Sequence, residues 1–252
     1  MTERIAPDIV LLRSAASPDP YVQAFAQAGW RADCRPVLRF AFPADEALRD
    51  RLRAADTYDG LVATSPRAVR ALRRVFDDSG ALHTAWEGRR AYAVGPKTAE
   101  RLRALSFEVR GEEAGDAASL VERLATDAPE RPLLFLSGSR RRDTLPDGLE
   151  AAGIPFEEQV VYETHTRTDL DLPEEPGAWL AFFSPSGLEA VQQADADALR
   201  RFRCAAIGPT TAMALREAGQ TVDAVADTPT PEALVRAVIQ AVSTEPNDSA
   251  AA

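Results

Sequence analysis

Histidine and cysteine are almost missing from this chain, whose 252 residues carry two of each. His83 and His165 stand in unlike contexts, which leaves no basis for a histidine-centred triad or metal cluster. His83, in a polar stretch, reads as solvated, whereas His165 is a residue that could line a site. Cys34 and Cys204 are too few and too far apart for a metal site. They read as buried free thiols of a reducing compartment, with no secretory pattern before them. G-x-G-x-x-G, the P-loop, H-E-x-x-H and C-x-x-C are all missing, and no apolar run approaches membrane-spanning length. Basic charge is short too: 29 Lys and Arg face 39 Asp and Glu, a formal net charge of -10. That balance argues against nucleic acid and anionic membrane as partners, since both need a basic stripe. An enzyme of this composition does not depend on the usual nucleophile-and-base pair or on a bound metal. Its expected setting is the cytoplasm.

What is present is a repeat. Leu61-Val62-Ala63-Thr64-Ser65-Pro66 is echoed by Leu180-Ala181-Phe182-Phe183-Ser184-Pro185, and Ala93-Val94-Gly95-Pro96 by Ala206-Ile207-Gly208-Pro209. In each, a short apolar run ends in Ser-Pro or Gly-Pro and a helical pattern begins. Strand, tight turn and helix N-terminus make the βα corner of a parallel sheet, where unpaired N–H groups face an arriving ligand. Residues 9–40 and 133–164 also align without a gap at an offset of 124, while the Ser-Pro pieces are offset by 119 and the Gly-Pro pieces by 113. Three parts in one order imply a duplicated α/β fold of two similar lobes, not a solenoid. The repeat alone would cut the chain into consecutive domains near residue 130.

The apolar run Ile9–Leu12 reads as a buried parallel strand. A helix follows from Asp19-Pro20, with Val22 and Phe25 inward and Gly29 as its stop. Val37, Leu38 and Phe40 suggest a strand, and Leu48 and Leu52 a helix. Residues 77–90 read as a loop or short irregular helix. Leu120, Val121 and Leu124 mark a further helix and Leu133–Leu136 a strand. Residues 166–177 look like a linker or a crossing between lobes. The last helix carries Leu234, Val235, Val238, Ile239 and Val242 on one face, and residues 243–252 read as disordered.

Chemistry is left to hydroxyls, amides and cations at helix starts. The hydroxyl candidates are Ser65, Thr98, Ser137, Ser139, Ser184, Ser186, Thr210 and Thr211, each of which reads equally as a cap or turn residue. The cations near these corners are Arg67, Lys97, Arg140, Arg141, Arg142 and Arg203. The Ser-Gly-Ser-Arg-Arg-Arg turn suits a carboxylate or phosphate cradle, with one of its three arginines expected to face a ligand. Tyr162 ends the strand Gln159–Val161 where the first copy has Leu38. A phenol in one copy only suits a site-specific role, and a packed, hydrogen-bonded hydroxyl suits the position as well.

Over nearly its whole length the chain resembles the uroporphyrinogen-III synthase family. The resemblance is carried by Thr64–Val69, Val94–Ala99, the turn Gly111–Ala117 and Val161-Tyr162-Glu163-Thr164. Phe182–Gly187, Ala205–Ala212 and Thr228-Pro229-Thr230-Pro231 complete it. It departs at Lys97 and at Ser106, which stands where a glycine commonly ends that helix. The resemblance implies two α/β lobes joined by a two-stranded ladder, with a cleft between them. Residues 1–36 and 167–245 would make one lobe and 40–162 the other, with 246–252 a disordered tail. It implies closure of hydroxymethylbilane to uroporphyrinogen III, with inversion of ring D and loss of water, by a monomer without cofactor. Tyr162 would assist departure of the hydroxyl. Ser65, Arg67, Gly95, Thr98, Ser139, Arg142, Ser184, Ser186, Arg203, Gly208 and Thr211 would meet the substrate's carboxylates. The alternatives are a non-catalytic two-lobed binding protein for an anionic small molecule and a regulatory protein built on the same fold.

Overall fold

Three apolar runs, Ile9–Leu12, Gly60–Ala63 and Trp179–Phe182, are buried along their whole length, as strands covered by helices on both faces must be. The computed structural model describes residues 8–43, 46–175, 177–195 and 197–244. The chain begins with β1 (Ile9–Leu12), α1 (Pro20–Gln27), β2 (Ala32–Cys34), β3 (Leu38–Ala41), α2 (Glu46–Arg53), β4 (Gly60–Ala63), α3 (Pro66–Asp78) and α4 (Gly80–Trp86). It continues with β5 (Arg90–Ala93), α5 (Pro96–Arg103), β6 (Glu108–Arg110), α6 (Ala117–Asp127), β7 (Leu133–Gly138), α7 (Thr144–Ala151) and β8 (Phe156–Thr166). It ends with β9 (Trp179–Phe182), α8 (Pro185–Ala194), α9 (Ala198–Arg201), β10 (Arg203–Ala206), α10 (Pro209–Glu217), β11 (Ala224–Val225) and α11 (Pro231–Ser243).

The chain divides into two compact units, residues 1–39 with 165–252 and residues 40–164. Each has its own sheet, ordered β11-β10-β9-β1-β2 in the first unit and β3-β8-β7-β4-β5-β6 in the second. The chain passes between units within β3 and within β8, which are neighbours in the six-stranded sheet. In the second unit alternate strand residues face opposite ways. Leu61, Ala63, Leu134 and Leu136 pack under α2, α3, α4 and α5, and Val62, Leu133 and Phe135 under α6 and α7. The first unit is built likewise, with Val10, Leu180 and Phe182 toward α8 and α10 and Ile9, Leu11 and Ala181 toward α1 and α11.

The repeat survives element by element. Shifting β1 and α1 by 124 residues gives the first four residues of β7 and the whole of α7. Shifting β4 by 119 gives β9, and shifting β5 by 113 gives β10. The two sheets therefore share one strand order, with the halves of the chain permuted, and a cut near residue 130 would fall inside the second unit. The shift of 124 carries both β2 and β3 onto the single strand β8. In the first copy Pro36 separates the two pieces, because a proline has no N–H to give a ladder; in the second copy the strand runs through.

Some expectations need correction. Tyr162 lies in the middle of β8 instead of ending a strand, because that strand runs eleven residues. Residues 80–86 form a regular helix, α4, fixed by Trp86, which is fully buried and donates its indole N–H to the Leu52 carbonyl at 2.9 Å. His83 is not simply solvated: half-buried, it stacks on Phe76 at 5.0 Å, and its Nε2 lies 3.2 Å from the Leu105 carbonyl. Cys204 is buried but Cys34 only half-buried. Burial pushes their thiols up to about 12 and about 11, so both stay protonated at neutral pH. Ser243 belongs to α11, and the expected tail at 246–252 lies outside the described residues.

Ser106, just beyond α5, has φ 62°, a left-handed conformation that crowds any Cβ. Its carbonyl is tied to the Gly88 N–H at 2.8 Å, which holds the chain there. Replacing Ser106 by Gly should raise stability by about 0.5–1 kcal/mol, the left-handed cost less the entropy of a freer unfolded chain. That is a rise of about 1–4 °C in Tm, while Ser106→Ala, which keeps the Cβ, should give no gain. A Ser106→Gly chain melting at or below the parent would contradict this.

Candidate active site

In the six-stranded sheet the order of winding reverses between β7 and β4. From β4 the chain proceeds to β5 and β6 on one side, and from β7 to β8 on the other. Such reversals open a crevice at the carboxyl ends of parallel strands. A cavity of about 400 Å³ lies there, a size that suits a small molecule. Ser65 borders it after β4, Val94 after β5, Asp116 at the start of α6, and Gly138 with Arg140–Arg142 after β7. Tyr162 closes the lining from β8.

The position of Tyr162 follows from a β-bulge. Ser137 pairs with Val160 but Gly138 with Tyr162, so Val161 is the extra residue. A bulge re-aims the side chains beyond it, and here Val161 and Tyr162, though consecutive, both pack toward the α3 face of the sheet. The Tyr162 ring lies against the backbone of Gly138. A Cβ built on Gly138 would stand 2.3 Å from the ring's Cζ and 2.6 Å from its hydroxyl. A side chain there would have to displace the ring, whereas the backbone itself, outside the left-handed region, would accept one. Around the same turn Ser139 donates its N–H to the Tyr162 carbonyl at 3.0 Å and accepts the Thr164 N–H on its Oγ at 3.0 Å. Phe40 and Phe42 flank the ring at centroid distances of 6.4 and 6.5 Å. Among the described residues, the Tyr162 hydroxyl itself has no hydrogen-bond partner.

The arginines of the turn differ in what remains of their charge. Arg141 is clamped by Glu158 through bonds of 2.5 and 2.9 Å and also pairs with Asp143, so it is neutralised internally. Arg142 is exposed, lines the cavity and meets no carboxylate among the described residues. Asp116 caps α6 by accepting the Ser119 N–H at 2.9 Å, and that bond holds its carboxyl below the ordinary range. It is therefore a fixed negative charge at the cavity. Ser65 caps α3 by accepting the Arg67 N–H at 3.2 Å, and the Arg67 guanidinium stacks on Phe40 at 3.7 Å. Gly95, with φ 78°, needs its glycine to turn the chain into α5.

The first unit repeats the construction by itself. After β9 the hydroxyls of Ser184 and Ser186 meet at 2.7 Å, and after β10 Gly208 starts α10. Gly208 has φ 175°, open to any residue, and a Cβ there would touch nothing. Its missing side chain leaves the helix N-terminus bare without serving the fold. A functional candidate the sequence reading missed is Arg13, directly after β1 where this sheet reverses. It stacks on Tyr21 and Phe183 at 4.9 and 5.1 Å and pairs with the buried Asp19 at 3.4 Å. The available signal was positional: Arg13 ends the apolar run Ile9–Leu12 at the place that Ser137 takes in the repeat.

Other candidates fall elsewhere. Arg203 begins β10, about 10 Å along the strand from its carboxyl end, and there it stacks on Trp179 at 4.2 Å and faces Asp223 at 3.9 Å. It is a structural cation of the opposite edge. The side chains of Thr98 and Thr211 are buried, at 2% and 5% exposure, so only their first-turn N–H groups are available to a ligand. Ser137 Oγ is buried and lies outside hydrogen-bond geometry with any described residue, and the Glu158 carboxylate is the group whose charge it helps to hold. Thr210 and Lys97 are exposed at helix starts. His165 follows Tyr162 by three residues on β8 and is half-buried, in the other unit. A larger depression of about 570 Å³ opens at the amino edge of the second unit, but two of its arginines are consumed, Arg89 by Asp56 and Arg131 by Asp59.

Comparison with known proteins points to one family and one fold. Residues 19–236 match the family model described as uroporphyrinogen-III synthase HemD. A uroporphyrinogen-III synthase of Schizosaccharomyces pombe is 30% identical over 246 residues, covering 91% of this chain and 95% of the relative. One from Saccharomyces cerevisiae is 32% identical over 209 residues, covering 73% and 76%. In fold, the chain is similar to the uroporphyrinogen-III synthetase of Helicobacter pylori, with TM-score 0.61 and 21% identity over 93% of this chain and 99% of that one. It is also similar to a mutant uroporphyrinogen III synthase from Thermus thermophilus, with TM-score 0.54 and 19% identity over 94% and 99%.

The contact between Gly138 and Tyr162 is open to a direct test. Gly138→Ala should destabilise the protein by about 1–3 kcal/mol, the range for overpacking, and adding Tyr162→Ala should remove most of that penalty. Denaturant titration of the parent, both single variants and the double variant measures the coupling. Additive effects would mean that the ring does not occupy the space above Gly138.

Proposed function

The chain belongs to the uroporphyrinogen-III synthase family, and from that premise we propose how its own residues divide the work. The reaction closes hydroxymethylbilane, a linear tetrapyrrole, to uroporphyrinogen III with inversion of ring D and loss of water; the enzyme is a cyclising lyase of tetrapyrrole biosynthesis. The substrate closes unaided to the uninverted isomer, so the enzyme must select a conformation more than supply reactivity. Positioning and exclusion of water are what such a task requires. A chain nearly without histidine or cysteine is suited to it.

Tyr162 is the residue to which we assign the chemical step. As the carbon–oxygen bond of the hydroxymethyl group breaks, with electrons from the pyrrole nitrogen, the departing oxygen takes a proton from the Tyr162 hydroxyl and leaves as water; the pyrrole N–H proton restores the phenol and an azafulvene remains. The Tyr162 hydroxyl is the hydrogen-bond donor for that oxygen. The observation that carries this reading is a phenol without a partner among the described residues, facing a cavity that also holds Arg142. The substrate's carboxylates are assigned to Arg142, Ser65, Gly95, Ser139 and Arg67 in one unit and to Ser184, Ser186 and Gly208 in the other. Thr98 and Thr211 take part through backbone N–H groups. Neutral dipoles at helix N-termini bind anions in spite of the acidic surface. The negative Asp116 restricts where a carboxylate can settle. No helix among the described residues is long and apolar enough to cross a membrane. The proposal extends to a monomer acting in the cytoplasm on a small molecule, without nucleic acid.

Tyr162→Phe keeps the ring and removes only the hydroxyl. Turnover should fall about 100-fold, as for loss of a proton donor. Affinity for oxidised uroporphyrin III, read by fluorescence titration, should stay within about twofold, below the roughly 1.4 kcal/mol of a tenfold change. Undiminished turnover would remove Tyr162 from the chemistry.

A further inference from the structure

Arg67, Arg70 and Arg74 are spaced three and four residues apart on α3, so they share one side of the helix over about 10 Å. All three are exposed, and each guanidinium lies over an aromatic ring. Arg67 stands 3.7 Å from the centroid of Phe40, and Arg70 and Arg74 stand 4.9 and 5.3 Å from that of Phe42. Both rings touch the ring of Tyr162. None of the three arginines meets a carboxylate among the described residues. Their neighbours do, Arg73 pairing with Asp77 at 3.8 Å and Arg49 with Asp78 at 2.8 Å. Carboxylates outnumber cations in this chain, so a row of arginines that meet no carboxylate among the described residues is not explained by a shortage of acidic groups.

Covering half-buried phenylalanines accounts for one guanidinium per ring. It does not account for two over Phe42, where like charges are brought together at a cost that a bound anion would relieve. Lying over a ring also limits where each side chain goes, while the exposed guanidinium keeps N–H groups in water, ready for a carboxylate. We propose that Arg70 and Arg74, with Arg67 at the inner end, form a carboxylate-binding track on α3 that captures the polycarboxylate tetrapyrrole and leads it to Tyr162. The inference rests on the reaction assigned above and adds a substrate subsite to it. A short-lived anion approaching an acidic protein is drawn in by such a local positive field, and faster capture leaves less time for spontaneous closure.

The double variant Arg70→Gln with Arg74→Gln removes the charge, and the double Lys variant keeps it. With hydroxymethylbilane made in situ, kcat/KM of the Gln variant should fall about 3- to 10-fold at low ionic strength, with a flatter salt dependence and little change in kcat. The Lys variant should keep most of the parent's kcat/KM and salt dependence, and both variants should melt near the parent. A Gln variant with the parent's kcat/KM and salt dependence would overturn the proposal. An equal loss in the Lys variant would overturn it too, since packing and not charge would be responsible. Titration with oxidised uroporphyrin III reads the track without turnover. Weaker binding by the Gln variant, together with a parent that makes no isomer III, would place the failure in the assigned reaction and not in the track.

Discussion

One close approach governs the second unit's site: the ring of Tyr162 takes the space that a side chain on residue 138 would fill. Two local features bring it about. The bulge at Val161 turns Tyr162 to the α3 face, and Ser139 ties the turn after β7 to both sides of Tyr162 on β8. With the ring so fixed, the turn from Ser139 to Arg142 leaves the strand beside the phenol, and Phe40 and Phe42 close in behind it. A side chain at 138 would force the ring outward and change the cavity floor. The fold needs β7 and β8 only as neighbours; the phenol needs them at this separation.

The second constraint is electrostatic. A chain of net charge -10 leaves few cations free for an anion. Most described arginines are paired off, Arg141 with Glu158 and Arg131 with Asp59 among them. Helix N-termini offer N–H donors without net charge. Because each unit carries the same Ser-Pro and Gly-Pro corners on the same strand order, the duplication supplies two sets of such donors. The units then differ in the switch-point residue, Arg13 in one and the buried Ser137 in the other, and in the Tyr162 phenol against Leu38.

Much of this was legible in the sequence, because it lay in contiguous patterns. Apolar runs fixed the central strands, and Ser-Pro and Gly-Pro marked the corners. The gapless echo of residues 9–40 in 133–164 maps β1 and α1 onto β7 and α7. The edge strands β2, β6 and β11 have three, three and two residues, too few to show a period. The helix at 80–86 depends on a hydrogen bond from Trp86 to Leu52, which no local propensity encodes. For the site, proximity to a corner in sequence was informative only when the end of the strand was known. Arg203 and Gly208 lie five residues apart, yet they belong to opposite edges of the sheet. Arg13, Arg70 and Arg74 are not marked in the sequence, because the aromatic rings they lie over come from other segments.

The central claim is that this chain directs the closure of hydroxymethylbilane with ring inversion through its own side chains and amides. The most direct measurement generates that substrate in situ, adds the purified protein with a chelator present, oxidises the products and separates the uroporphyrin isomers. The account predicts isomer III in clear excess. Isomer I alone, from a sample shown to be folded, would contradict it and favour a protein that binds an anionic small molecule without converting it.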